Sequence, residues 1–185
     1  MLSVIVLAAG QGTRMVSATP KILHSVGRKP IVHHVLDTAL SLNPEEVVVV
    51  ISPHLQAATV AGNRPVKVAV QEQPRGTGDA AGAGLEQFSQ SEGDVLILCG
   101  DAPLIQKEDL QVLFEQRQSH PKESITVLGM RFDDPRQYGR IVTEEDRLVR
   151  IVEYKDATED ERQINLCNTG IILTAISTLK KLLPK

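Results

Sequence analysis

Short runs dense in valine and isoleucine recur along the chain at 3–8, 47–51, 66–70, 95–99 and 125–129, separated by longer stretches of helical spacing at 31–41, 57–61, 79–88 and 107–119. Strand-length apolar runs alternating with helical spans are the pattern of a mostly parallel sheet with helices on both faces. The chain therefore reads as α/β, with a Rossmann-like, mostly parallel mixed sheet. After Tyr138 the pattern changes: β-prone runs at 140–143 and 148–152 flank the polar stretch 144–147, which predicts an antiparallel hairpin added to the sheet. The charged stretch 156–163 reads as a surface loop or short helix, and 169–173 as one more strand before a terminal helix. No internal repeat, linker or low-complexity tract interrupts this order, and 185 residues at 42% hydrophobic suit one domain with a real core.

Lys and Arg number 20 against 23 Asp and Glu, both signs are scattered, and nothing calls for a nucleic-acid partner. Cys99 and Cys167 have neither CxxC nor His-rich surroundings, so no disulfide framework or zinc site is expected, and a reducing cytoplasm fits them. The apolar start lacks a basic lead-in and a cleavage site and enters a glycine-rich turn within ten residues, as a first strand does and a signal peptide does not. No stretch approaches the roughly 18 apolar residues of a membrane span.

In doubly wound sheets ligands bind beyond the carboxyl ends of the strands, which directs attention to the segments after Ala8, Val70 and Cys99. The first holds Gly10 and Gly12, but Met15 stands where a dinucleotide fingerprint needs its third glycine, and no Walker Lys-Ser pair follows. Arg14 and Lys21 could instead converge on a triphosphate from this loop, or simply be solvated. After the third strand, Gln71 precedes Gly76 and Thr77; a side-chain amide matches the adjacent acceptor and donor of a pyrimidine edge, and a turn with a polar helix cap is the ordinary alternative. Strand four runs into Cys99, Gly100, Asp101 and Pro103. An Asp there can reach a hard cation on phosphate oxygens; it lies too far ahead of the helix near Lys107 to be its cap, and a plain turn is the ordinary alternative. Cys99 reads as a packed thiol, because it has no identifiable basic partner.

Three later segments, Tyr138-Gly139-Arg140-Ile141, Val152 to Thr158 and Asn168-Thr169-Gly170, carry small, carboxylate and amide groups suited to sugar hydroxyls and an acetamido group, while a surface hairpin, a charged loop and a turn would each account for one of them. Taken with LAAGQGTRM and TPKILH near the amino terminus, the Gln five residues before a Gly-Thr pair, and the runs VEYKDAT, DERQI and NTG, the chain resembles the sugar nucleotidylyltransferases, and among them the N-acetylglucosamine-1-phosphate uridylyltransferases.

That resemblance covers essentially the whole chain and implies the fold of the nucleotide-diphospho-sugar transferases. It implies that Leu7, Ala8, Ala9 and Gly10 wrap the nucleotide together with Cys99 and Gly100, that Arg14 and Lys21 hold its phosphates, and that Gln71, Gly76 and Thr77 meet uracil. Asp101 becomes a ligand for Mg²⁺, and Gly139, Glu153 and Asn168 contact the amino sugar, with Lys155 a further candidate. The implied reaction joins UTP and N-acetylglucosamine-1-phosphate, releasing pyrophosphate, in the cytoplasm and for cell-envelope precursors. In the family the domain continues past the position of Lys185, supplies an asparagine as second metal ligand, and precedes a left-handed β-helix acetyltransferase through which it trimerises. On that comparison residues 1–185 are a nucleotidylyltransferase domain incomplete at its C-terminus and lacking the acetyltransferase β-helix. Two rivals are a nucleotide-binding fragment without turnover and a transferase for another base or sugar.

Overall fold

A computed structural model describes residues 1–10, 12, 15–121, 124–145 and 147–183. In chain order it contains β1 (Leu2–Leu7), β2 (Ser25–Val26), β3 (Lys29–Pro30), α1 (Ile31–Ser41), β4 (Glu46–Ile51), α2 (Ala57–Ala61), β5 (Lys67–Val70), α3 (Thr77–Leu85), β6 (Asp94–Cys99) and α4 (Lys107–Gln118). These are followed by β7 (Thr126–Arg131), β8 (Arg140–Glu144), β9 (Arg147–Val152), α5 (Glu159–Arg162), β10 (Leu166–Ala175) and α6 (Ile176–Leu182). The chain falls into two compact units, Met1–Thr126 with Ile172–Lys185, and Val127–Ile171. Both boundaries lie inside strands, β7 and β10, which is why no Gly, Pro or Ser-rich linker announces them.

In the larger unit β1 is flanked by β4 and β6, both parallel to it, and β5 lies parallel outside β4. The last residues of β10 run antiparallel to β6, with Ile172 opposite Ile97. The sheet is thus mixed and mostly parallel. The chain passes from β1 outward to β4 and β5, then returns to the other side of β1 for β6, so the strand order reverses at β1 and opens a crevice at the carboxyl ends.

Both sheet faces are covered. Ile5, Val48, Val50, Val95 and Ile97 pack with Ala80, Ala81 and Leu85 of α3 and with Ile176 and Leu179 of α6. Their neighbours Val4, Val6, Val49, Leu96 and Leu98 are fully buried as well, as are Val32, Val35 and Leu36 of α1. Two buried faces explain why these strands are apolar at successive positions.

The helix expected at 79–88 begins two residues earlier, at Thr77, with Gly76 as N-cap. The two-residue pair β2–β3 and a 3-10 turn at Lys21–Leu23 were not anticipated, since elements this short carry no periodicity. The alternatives for 156–163 resolve to a one-turn helix, α5, started by a capping box in which Thr158 and Glu161 cap each other's backbone N–H.

In the smaller unit β8 and β9 form the expected antiparallel hairpin, and β8 pairs with β10 through Arg140 opposite Cys167. β7 also pairs with β10. Arg140 is 1% exposed and is held by main-chain carbonyls of Pro135, Arg136, Tyr138 and Arg162. The Tyr154 ring lies 5.5 Å from the Arg140 guanidinium and 4.9 Å from that of Arg162. A cation buried among carbonyl dipoles and an aromatic face keeps its hydrogen bonds without a carboxylate.

Candidate functional site

Adjacent parallel strands bring together loops that lie far apart in sequence. Leu7 ends β1 directly opposite Cys99 at the end of β6. Beyond them, Ala8 N–H donates to Val50 O at 2.8 Å and Gly100 N–H to Leu7 O at 2.8 Å, so the pairing holds the first loop residues in place. Lys21 opens the 3-10 turn, which is anchored by Ile22 at 4% exposure. Gly12, at φ +58°, lets the loop pass against it: a Cβ there would lie 2.6 Å from Lys21 Cβ.

The turn aims Lys21 at the end of β6, where Lys21 Nζ donates to Asp101 Oδ2 at 2.6 Å across 80 positions of sequence. Both side chains are about two-fifths exposed, 39% and 40%. An ion pair this wet is worth about 0–1 kcal/mol, so it separates at little cost when each member is offered another partner. Asp101 is not a helix cap: α4 is capped by Gln106, in a capping box with Asp109. Arg14 lies outside the described residues.

Gln71 follows β5, and its N–H donates to Ile51 O at 2.8 Å, extending the ladder by one residue. Its side chain turns inward and is 7% exposed as a residue. Nε2 donates to Gly76 O at 3.0 Å and to Asp79 Oδ2 at 2.8 Å. The carbonyl and the carboxylate are both acceptors, so nitrogen is assigned to that side of the amide on chemical grounds. Gly76 holds φ +113°, a conformation that favours glycine, as it starts α3.

Leu7, Ala8, Ala9, Gly10, Lys21, Gln71, Gly76, Thr77, Cys99 and Asp101 all line one cavity of about 390 Å³. This is within the usual span of small-molecule sites, roughly 300–1,000 Å³. Gly100 does not line it; the residue is buried, with its N–H spent on Leu7 O. Sequence reasoning did not assign Gly12, Ile22, Pro74 and Ala80 to the lining, although Ala80 lies one helical turn beyond Thr77 and shares its face. It also missed Asp79 as the partner of Gln71.

Cys99 belongs to the wall. Burial, reinforced by the Asp101 carboxylate and opposed by Lys21, pushes its thiol up to about 11. At neutral pH it is a protonated, weakly nucleophilic side chain, the packed thiol expected, but because burial outweighs a nearby cation, Lys21, and not because a basic neighbour is lacking.

In the smaller unit Gly139, Glu153 and Asn168 are neighbours. Gly139 O accepts from Asn168 N–H at 2.8 Å, and a Cβ on Gly139 would lie 3.2 Å from Glu153 Oε1. Asn168 Oδ1 accepts from Gly170 N–H at 3.0 Å. Lys155 is 81% exposed and 3.9 Å from Asp156 Oδ2.

No group of three or more His, Cys, Asp or Glu side chains converges as a metal cage among the described residues. Among the described residues Asp101 is the one carboxylate that lines the cavity, and a hard divalent cation can take a single carboxylate and complete its shell with water and substrate oxygens. No helix among the described residues is long and apolar enough to cross a membrane.

The profile of the MobA-like NTP transferase domain matches residues 4–148. Over 174 residues the chain is 45% identical to the "Bifunctional protein GlmU" of Cereibacter sphaeroides strain ATCC 17025, covering 92% of this chain and 38% of that one. It is 46% identical to the protein of the same name in Chromohalobacter salexigens, covering 100% of this chain and 40% of the relative. The chain thus spans about two-fifths of the curated relatives it matches. Among solved structures, a protein of Bacillus anthracis assigned as a glucose-1-phosphate thymidylyltransferase superposes with a TM-score of 0.75 at 19% identity, covering 100% of this chain and 76% of that one. A CMP:2-keto-3-deoxy-manno-octonic acid synthetase bound to CTP gives 0.72 at 19% identity, with coverages of 100% and 79%. At that identity the likeness establishes the fold: α/β, of the nucleotide-diphospho-sugar transferase type.

Proposed function

Since the chain belongs to the MobA-like NTP transferases, a family of nucleotidyltransferases, we propose that it transfers UMP from UTP to N-acetylglucosamine-1-phosphate, giving UDP-N-acetylglucosamine and pyrophosphate. The observation that carries this reading is the cavity itself. A cation–carboxylate pair, Lys21 and Asp101, and an amide-bearing pocket, Gln71 with Gly76 and Thr77, line the same space. The charged pair suits phosphates and the amide suits a base. The narrower choice of uridine and amino sugar rests on similarity to the GlmU proteins.

The reaction needs no protein nucleophile. A phosphate oxygen of the sugar attacks the α-phosphorus of UTP, that P–O bond forms as the bond to the β-phosphate oxygen breaks, and pyrophosphate leaves with the electron pair. Lys21 exchanges Asp101 for phosphate oxygens and neutralises charge that grows during attack. The Asp101 carboxylate, freed by that exchange, is the residue that would hold Mg²⁺. The metal, when bound, supplies Lewis-acid polarisation of the phosphates and orients them for in-line displacement. Gln71, Gly76 and Thr77 fix the base, so that the α-phosphorus is held in one place. Gly139, Glu153 and Asn168 contact the amino sugar in this reading, and Arg14 joins Lys21 on the phosphates.

The test is pyrophosphate release with Mg²⁺ and N-acetylglucosamine-1-phosphate, supplying UTP, CTP, dTTP and ATP in turn. Turnover with UTP well above the others is expected. Binding of UTP without release in any combination would instead assign a nucleotide-binding role.

A further inference from the structure

Asp79 does not line the cavity, yet it touches a residue that does. It stands in the first turn of α3 and accepts a hydrogen bond from Gln71 Nε2 at 2.8 Å, while Gly76 O accepts another from the same nitrogen at 3.0 Å. Both amide hydrogens are thereby used. Turning the amide over would set its oxygen against a carboxylate and a carbonyl, two acceptors with nothing to donate. Among the described residues Gln71 Oε1 makes no hydrogen bond. That oxygen, an acceptor only, is what the side chain retains for a ligand.

We propose that Asp79 is a positioning residue for base selection: by holding Nε2, it makes Gln71 present Oε1, which favours a pyrimidine whose ring nitrogen carries a hydrogen over one whose ring nitrogen is a bare acceptor. Uracil has N3–H and cytosine has an unprotonated N3, so the held amide meets a donor in the first case and a second acceptor in the second. A mobile amide could satisfy either base by rotating. The inference rests on the reading of this cavity as a nucleotide site and adds to it the group that orients the amide.

An acid in the first turn of a helix also favours the helix by meeting its positive end. That role and positioning are separable. Loss of helix stability would weaken every ligand alike, whereas loss of amide orientation would change the ratio between bases.

The experiment measures the dissociation constants of UTP and CTP by calorimetry for the intact chain and for Asp79→Ala and Asp79→Asn, with thermal midpoints alongside. Asparagine keeps the size of the side chain but can donate to Oε1 as well as accept from Nε2, so it supports both amide orientations; it carries the test should the alanine variant not fold. The expected result is a clear preference for UTP in the unaltered protein, reduced about tenfold in Asp79→Ala and reduced also in Asp79→Asn, as befits a charge-assisted hydrogen bond that orients its partner. Equal weakening of UTP and CTP, with the ratio kept, would overturn the positioning role and leave the nucleotide site standing. Equal affinity of the unaltered protein for UTP and CTP would overturn the base reading and this inference with it.

Discussion

Replacing Lys21 by alanine separates two ways in which a cation can serve a phosphate site. Two unit charges 4 Å apart attract by about 4 kcal/mol at the effective dielectric of a protein surface, near 20. Lys21 is 39% exposed, so water weakens that attraction in the ground state, where the phosphates are also solvated. Part of the rest is offset, because Lys21 must leave Asp101, 2.6 Å away, to meet a nucleotide; the alanine variant has no such bond to break, a saving of about 0–1 kcal/mol. The transition state carries more charge in a more enclosed site, and removing one aimed donor there costs about 100- to 1,000-fold in turnover. The expectation is therefore a fall of about 100-fold or more in kcat, with UTP affinity weakened by less than about tenfold. Asp101, no longer paired, should bind Mn²⁺ without nucleotide at least as well as before. Pyrophosphate release at saturating UTP and N-acetylglucosamine-1-phosphate, beside calorimetric titration of UTP, gives both numbers. Collapse of UTP affinity with kcat preserved would refute the argument and leave Lys21 a binding residue only.

Gln71→Ala should weaken UTP binding by about 1–3 kcal/mol, the loss when a base-directed hydrogen-bonding group is removed; an unchanged dissociation constant would move the base elsewhere. At pH 8 iodoacetamide should label Cys99 about a hundredfold more slowly than an unstructured cysteine, given a thiol pushed up to about 11, with denaturant restoring the rate. Labelling at the peptide rate would contradict that burial. Asp37 of α1 pairs with Arg64, at 2.5 Å, and with Lys29, at 2.7 Å. Arg64 chiefly, despite opposing desolvation, holds its carboxyl down from 3.8 to about 2. A depressed folded value means stability present above pH 3.8 and lost as pH falls toward 2. With the side chain 44% exposed, Asp37→Asn should cost about 0.5–1 kcal/mol at pH 7 by urea unfolding, a gap that closes by pH 2.

Much of the larger unit is legible in the sequence because its determinants are local. A strand buried on both faces must be apolar along its length, so Val4 to Val6 and Val47 to Ile51 announce themselves without reference to any partner. Glycine and proline likewise mark loops where backbone geometry demands them, and the segments after β1, β5 and β6 can be picked out for that reason. What the sequence could not supply is who meets whom. The division into two units falls within β7 and β10, where hydrogen bonding continues and composition does not change. Lys21 and Asp101 are 80 positions apart, and their contact exists only because Leu7 and Cys99 end side by side in a parallel ladder. The orientation of the Gln71 amide was equally hidden, since an isolated glutamine offers donor and acceptor alike; only the return of the chain at Gly76, and the start of α3 two residues earlier than its apolar spacing suggests, bring the Asp79 carboxylate to the nitrogen and leave the oxygen for a ligand.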